Sequence, residues 1–390
     1  MSSMQIRFAK VLAVTALGFA AATVQAQEKV KVGFLLPYSG TYAALGIAIE
    51  NGFKLYVEET GGKLAGREIQ YFKVDDESDP AKAIQNANRL VQRDQVDLLV
   101  GSVHSGVALA ATKVAKDNDV TLIVPNAGAG AITGALCAPN VFRSSYSAWQ
   151  TAYSMGRVAA QQGKKTAVTV TWKYAAGDEQ VDAFRQGFEE GGGKVLRDLN
   201  LSFPNVEFQS ILTEVASDRP EAVFAFFAGA GAVKFVQDFA SAGLRESITL
   251  YGSGFLTDGT LEAQGESAQG LQTTLHYGDG LNTPRDNAFR EAYSKAFKML
   301  PDVYAVQGYD TAQMFEKGLE AVGGDAGKKD ALREAMRAAT IDSPRGAFSL
   351  SKAGNPVQDF YLREVKGNEN KVIGIAVKAL ADPATGCRMN

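Results

Sequence analysis

Cysteine and histidine are scarce: two of each stand in 390 residues, and the histidines, His104 and His276, lie far apart in sequence. That leaves no persuasive ligand set for a metal. The glycine fingerprint of dinucleotide-binding folds, GxGxxG, is absent, as is a phosphate loop ending in GK[ST], so nucleotide binding is disfavoured. No GxSxG turn places a serine nucleophile between strand and helix, and no constellation rises to an enzyme. Beyond the N-terminus no stretch approaches the ~20 apolar residues needed to cross a bilayer. Basic excess is missing too: 40 Lys+Arg stand against 43 Asp+Glu, for a formal charge of −3, which argues against a nucleic-acid partner.

At the N-terminus, Arg7 and Lys10 precede an apolar, alanine-rich run from Val11 to Ala22, and Val24-Gln25-Ala26 offers the small residues that a signal peptidase requires. Residues 1–26 are therefore expected to be an export signal and the protein periplasmic. Removing them takes the formal charge to −5. In an exported protein the lone pair Cys137 and Cys387 favours one disulfide pinning the C-terminal tail, with two free thiols as the alternative. A mature chain of this length exceeds what one core usually supports, so two domains are expected.

Short apolar runs recur, each ending in a small-residue loop. Asp97 to Gly106, DLLVGSVHSG, and Val120 to Thr133, VTLIVPNAGAGAIT, read as buried parallel strands that deliver loops to the carboxyl edge of a sheet. Val30–Pro37, Arg67–Asp75, Thr166–Thr171, Lys194–Asn200, Ala222–Val233 and Ile248–Gly259 repeat the pattern, with helices expected at Pro80–Arg93, Glu179–Glu190, Asn287–Lys298, Val303–Val322 and Lys329–Ala339. Such alternation predicts α/β architecture in two successive units whose loops face each other across a ligand crevice. Around that crevice we place Tyr42, Leu45, Trp172, Tyr174, Phe226, Phe227 and Phe255 as an apolar and aromatic wall, with His104 and Ser105 as the polar end. Only one of Phe226 and Phe227 should face it, because strand side chains alternate. His104 has a helix-capping role as its alternative, and Tyr309 lies against the pocket or packs in the core.

Taken in order, VKVGFLLPYSGTYAALG, VDLLVGSVHSGVALA, VTLIVPNAG, NVFRSSYS and YDTAQMFEKGLEA resemble the periplasmic solute-binding proteins of branched-chain and hydrophobic amino acid ABC transporters, over nearly the whole mature chain. The resemblance implies two doubly wound parallel-sheet lobes joined by three crossover strands. Lobe one would be 27–147 plus 278–348, lobe two 148–277 plus 349–382, and 383–390 a tail. It implies a monomer without cofactor or catalysis that hands its solute to an inner-membrane permease. By the same resemblance Ser105 holds a ligand carboxylate, Asn126, Ala127 and Gly128 supply backbone contacts to it, and Tyr174 closes over the ligand. The family's acid for the ligand ammonium falls at Gly254, so that carboxylate is missing, with Asp258 the nearest substitute; Arg143 is a further candidate partner for the ligand carboxylate. An unpaired buried ammonium is costly. The expected solute is therefore a small aromatic carboxylate such as a benzoate, hydroxybenzoate or cinnamate. The alternatives are a branched-chain or other hydrophobic amino acid binder, or a ligand-sensing receptor module.

Overall fold

The computed structural model describes residues 28–389, so the expected export signal lies outside the described residues. The first sheet holds β1 (Val30–Leu36), β2 (Lys63–Leu64), β3 (Arg67–Asp75), β4 (Leu98–Gly101), β5 (Thr121–Val124) and β6 (Val141–Arg143), in the order β2-β3-β1-β4-β5-β6. All its pairings are parallel except that of the short β2 with β3. Its central strands are apolar runs because helices cover both faces. On β1, Phe34 and Leu36 point into one core while Leu35 points into another, as a two-residue period requires.

The second sheet contains β7 (Thr166–Lys173), β8 (Lys194–Ser202), β9 (Ala222–Phe226), β10 (Thr249–Ser253) and β11 (Gln272–Leu275), ordered β11-β10-β9-β7-β8 and parallel. After β12 (Thr340–Ile341) and β13 (Phe348–Leu350), the long hairpin β14 (Pro356–Lys366) and β15 (Glu369–Leu380) adds antiparallel strands beside β11.

Three helices begin directly at the carboxyl ends of strands: α3 (Ser105–Asp117) after β4, α5 (Ala175–Glu190) after β7, and α7 (Gly229–Ser241) after β9. Between them in chain order come α4 (Ala148–Gln161) and α6 (Gln209–Asp218), preceded by α1 (Ala43–Glu59) and α2 (Pro80–Asn88). The short α8 (Leu261–Gln264) is followed by α9 (Pro284–Phe297), α10 (Val303–Ala321) and α11 (Lys329–Ala338). The helix expected over Pro80–Arg93 widens at its end into a π turn at Arg89–Arg93. That expected at Glu179 begins four residues earlier, at Ala175, because Gly177 lets the first turn fold back onto the strand; a Cβ there would sit 1.8 Å from the Trp172 carbonyl oxygen.

Helix α10 returns to the first sheet and packs along α1 through two glycines. A Cβ at Gly52 would lie 1.9 Å from the Ala305 carbonyl oxygen, and one at Gly308 1.9 Å from that of Ile49, so the two backbones touch. This close crossing fixes the start of α10 at the mouth between the sheets. Cys137 and Cys387 are joined as a disulfide with α-carbons 5.5 Å apart, which ties the C-terminal segment to the loop before β6.

Candidate functional site

Between the carboxyl edges of the two sheets lies a small, tightly lined cavity of about 10 Å³. Its aromatic wall consists of Tyr42, Tyr146, Tyr174, Phe226, Phe255 and Tyr304, and the remaining lining is Val103, Ser105, Asn126, Gly128, Ala176 and Ala228. None of these side chains carries a charge. What the site offers instead is the start of three helices. Ser105 is the first residue of α3, Tyr174 and Ala228 are the N-caps of α5 and α7, and neither of those caps bonds its helix through a side chain. Backbone N–H groups and the positive ends of three helix dipoles therefore converge on the cavity, an arrangement that favours an anion without a cationic side chain.

Ser105 accepts a hydrogen bond from the Ala129 N–H through Oγ at 3.2 Å, which leaves its own proton to donate. The Asn126 amide donates to Gln307 Oε1 at 2.8 Å and so ties the β5 loop to α10. Beneath this loop Arg143 is fully buried, and its guanidinium donates to the carbonyl oxygens of Ala127 and Ala129, the latter at 2.7 Å. Arg143 thus shapes the loop and does not line the cavity. Ala127 is likewise held from below, its N–H donating to the Ser102 carbonyl at 2.9 Å.

The two bodies meet around the cavity. The hydroxyls of Tyr42 and Tyr174 lie 3.4 Å apart, and the Tyr42 ring packs on Phe203 at 5.3 Å and Trp172 at 6.1 Å. Gly229 is in the left-handed region, and a Cβ there would stand 2.3 Å from the Thr41 carbonyl oxygen. Two carboxylates from the second body each receive a backbone N–H from the first: Glu179 from Gly130 at 2.6 Å, and Asp258 from Val303 at 3.2 Å.

Several sequence expectations are corrected by this geometry. Phe226 lines the cavity, whereas Phe227 points away, packing against Phe208 and Phe235 at 5.0 and 4.7 Å. Trp172 backs the wall, its indole N–H donating to the Asn205 carbonyl at 2.7 Å. Leu45 belongs to the core. His104 caps α3, accepting the Gly106 N–H at Nδ1, and stacks behind Tyr174 with centroids 4.9 Å apart. Burial pushes its pKa down to about 4, so it is neutral and supplies no charge. Gly254 turns away: a Cβ there would meet Arg363 Nη2 and the Leu275 Cβ, each at 2.5 Å. Asp258 is locked to Arg363 Nη1 at 2.6 Å and is absent from the lining. Tyr309 packs between Tyr56 and Phe289, each at 5.0 Å, and donates to Glu59. Sequence reasoning missed Tyr304, which stands five residues before Tyr309 and so about 140° around the same helix. Tyr146 was also missed, although NVFRSSYS contains it.

Comparison with known proteins places the chain. The periplasmic binding protein family model matches residues 29–370. The chain belongs to that family. Among solved periplasmic binding proteins, the solute-binding protein of an R. palustris ABC transporter in complex with benzoate is 51% identical, with a TM-score of 0.91 over 93% of this chain and all of that one. Another, from Rhodopseudomonas palustris BisB5 in complex with 3,4-dihydroxybenzoic acid, is 31% identical with a TM-score of 0.86 over 91% and 99% of the two chains. The Leu/Ile/Val-binding protein homolog 6 of Brucella melitensis biotype 1 is 32% identical over 367 residues, 91% of this chain and 93% of the relative. The cavity lies where periplasmic binding proteins clamp a solute, in a fold whose two lobes can open and close around it.

The Glu179 contact gives the closed form a pH dependence. Burial raises its pKa from 4.5 to about 7 against the opposing pull of the Gly130 N–H and Arg143, with Asp382 and Asp182 adding to the rise. Opening rehydrates the carboxylate, so closure binds a proton between these two values. Closure is therefore favoured below the ordinary value and loses that contribution as pH rises through about 7. Relative to Glu179→Gln, wild-type solute affinity should weaken as pH rises from about 4.5 to about 7, with the proton uptake visible in calorimetry as a buffer-dependent heat. Burial also raises Asp302 to about 7 and lowers His104, stacked on Tyr174, to about 4, so comparison with Glu179→Gln isolates the Glu179 contribution. An unchanged pH profile in that variant would contradict the assignment.

Proposed function

We propose that this periplasmic binding protein captures a small aromatic carboxylate, a benzoate-, hydroxybenzoate- or cinnamate-like acid, between its lobes and delivers it to the permease of an ABC importer. One observation carries the reading: six rings and three helix N-termini converge on a cavity without a charged side chain. A carboxylate is held there by Ser105 and backbone N–H groups, and an aromatic body fills the space between Tyr174, Phe226 and Phe255. An amino acid would bring an ammonium with no carboxylate to receive it, at a cost of several kcal/mol. The benzoate and dihydroxybenzoate complexes of the R. palustris relatives support the same solute class.

Residues 1–26 act as a cleaved export signal in this reading, and the mature protein works as a monomer. Lobe one comprises 27–147 plus 278–348, and lobe two 148–277 plus 349–382, with 383–390 as the disulfide-tethered tail. Sites on both lobes are completed only by closure, so binding shifts the population toward the closed form. Small-angle scattering should show a smaller radius of gyration with saturating benzoate and no change with leucine. Contraction with leucine and none with any aromatic acid would favour the amino acid reading suggested by the Brucella relative's name.

A further inference from the structure

We propose that the Tyr304 hydroxyl reads a neutral polar substituent on the solute ring, so that the preferred solutes are hydroxylated aromatic monocarboxylates. The inference rests on the aromatic-acid reading above and names the subclass. Tyr304 is fully buried, lines the cavity, and its hydroxyl has no hydrogen-bond partner among the described residues. The Tyr42 and Tyr174 hydroxyls, by contrast, lie within reach of each other. A buried hydroxyl without a partner is rare and unfavourable, and in a ligand cavity it marks the place of a ligand atom.

The hydroxyl cannot swing to find a partner elsewhere. Tyr304 sits on the first turn of α10, where Asp302 accepts the Ala305 N–H at 2.9 Å and Asp258 accepts that of Val303. Helix α10 is itself fixed on α1 through Gly308 and on the β5 loop through Gln307. The Tyr304 ring is confined by Phe255, with centroids 5.9 Å apart. A preorganised donor of this kind rejects an analogue that leaves it unpaired more strongly than an apolar wall rejects a change of size.

The surroundings also set the charge of what it reads. No side chain lining the Tyr304 end is cationic, and the Asp258 and Asp302 carboxylates lie behind it, so a second anionic group on the ring would find no partner there. The solute carboxylate is thereby assigned to the Ser105 end, and the Tyr304 end takes a phenolic hydroxyl. Dicarboxylates are disfavoured on the same ground.

Calorimetric titration of wild type and Tyr304→Phe with benzoate, 3-hydroxybenzoate, 4-hydroxybenzoate and terephthalate tests this. Wild type should bind one hydroxybenzoate about 10-fold or more tighter than benzoate, and terephthalate at least about 10-fold more weakly than benzoate. In Tyr304→Phe the preference for a hydroxybenzoate over benzoate should vanish, the loss falling on the hydroxybenzoate, with an unaltered thermal unfolding midpoint as the check on folding. Equal weakening of benzoate and hydroxybenzoate would overturn the proposal, as would a wild type without preference or one that prefers terephthalate. Failure of wild type to bind any aromatic acid is a separate result, and it overturns the proposed function along with this refinement.

Discussion

Replacing Arg363 by methionine should lower the unfolding free energy by about 3–5 kcal/mol, the loss expected when one partner of a buried ion pair is left alone. Arg363 is fully buried on β14 and donates to Asp258, to the Tyr277 and Gly254 carbonyls at 2.9 and 3.0 Å, and to Thr273 Oγ1 at 3.0 Å. It thereby joins the antiparallel hairpin to β11, to the loop after β10 and to the chain crossing between the lobes. Without it, the Asp258 carboxylate is buried unpaired, and burial already holds its pKa above the ordinary value even with the arginine present. A proton would then reside on Asp258 and weaken its hold on the Val303 N–H. Denaturant titration of Arg363→Met and of Arg363→Met with Asp258→Asn measures the effect. The second substitution should restore part of the loss, because it removes the stranded charge. A loss under about 1 kcal/mol in the single variant would contradict this account.

The second large effect falls on binding. Ser105→Ala should weaken an aromatic acid by roughly 10- to 100-fold, since a hydrogen bond to an ionised group contributes about 1.5–3 kcal/mol. Ser105 is buried at the start of α3, with its hydroxyl oxygen engaged by Ala129 and its proton uncommitted. The effect should appear almost wholly in affinity, because the neighbouring helix N-terminus remains. A change below about 3-fold would move the carboxylate to another part of the cavity.

The strands were legible because a parallel sheet covered on both faces needs apolar runs, and Val30–Leu36, Thr121–Val124 and Ala222–Phe226 are such runs. The loops after them were legible as a ligand edge for the same topological reason. Ser105, Asn126, Gly128, Tyr42, Tyr174, Phe226 and Phe255 do line one cavity. What remained hidden depends on which way a side chain turns after its strand ends. At Gly254 the chain enters a short 3-10 turn that directs residue 254 at Arg363 and residue 255 at the cavity. The early start of α5 at Ala175 was equally hidden, although it brings one of the three helix N-termini to the cavity. Tyr304 was invisible because α10 is buried on nearly every face, so no apolar stripe distinguishes the side that meets the solute.

The absent acid survives this correction in a stronger form. Residue 254 cannot present a carboxylate to the cavity whatever its side chain, and Asp258 is engaged by Arg363 and Val303. The case against an α-amino acid therefore rests on the lining as a whole. Cation–π attraction to the rings would return only ~1–2 kcal/mol of what an ammonium loses on entering.

Calorimetric titration of the purified protein with benzoate, the hydroxybenzoates, cinnamate, leucine, isoleucine and valine, at one pH and one salt concentration, tests the central claim most directly. At least one aromatic acid should bind with a Kd near or below about 1 µM, and the three amino acids should bind at least about 100-fold more weakly. Sub-micromolar leucine binding with no heat from any aromatic acid would contradict the account.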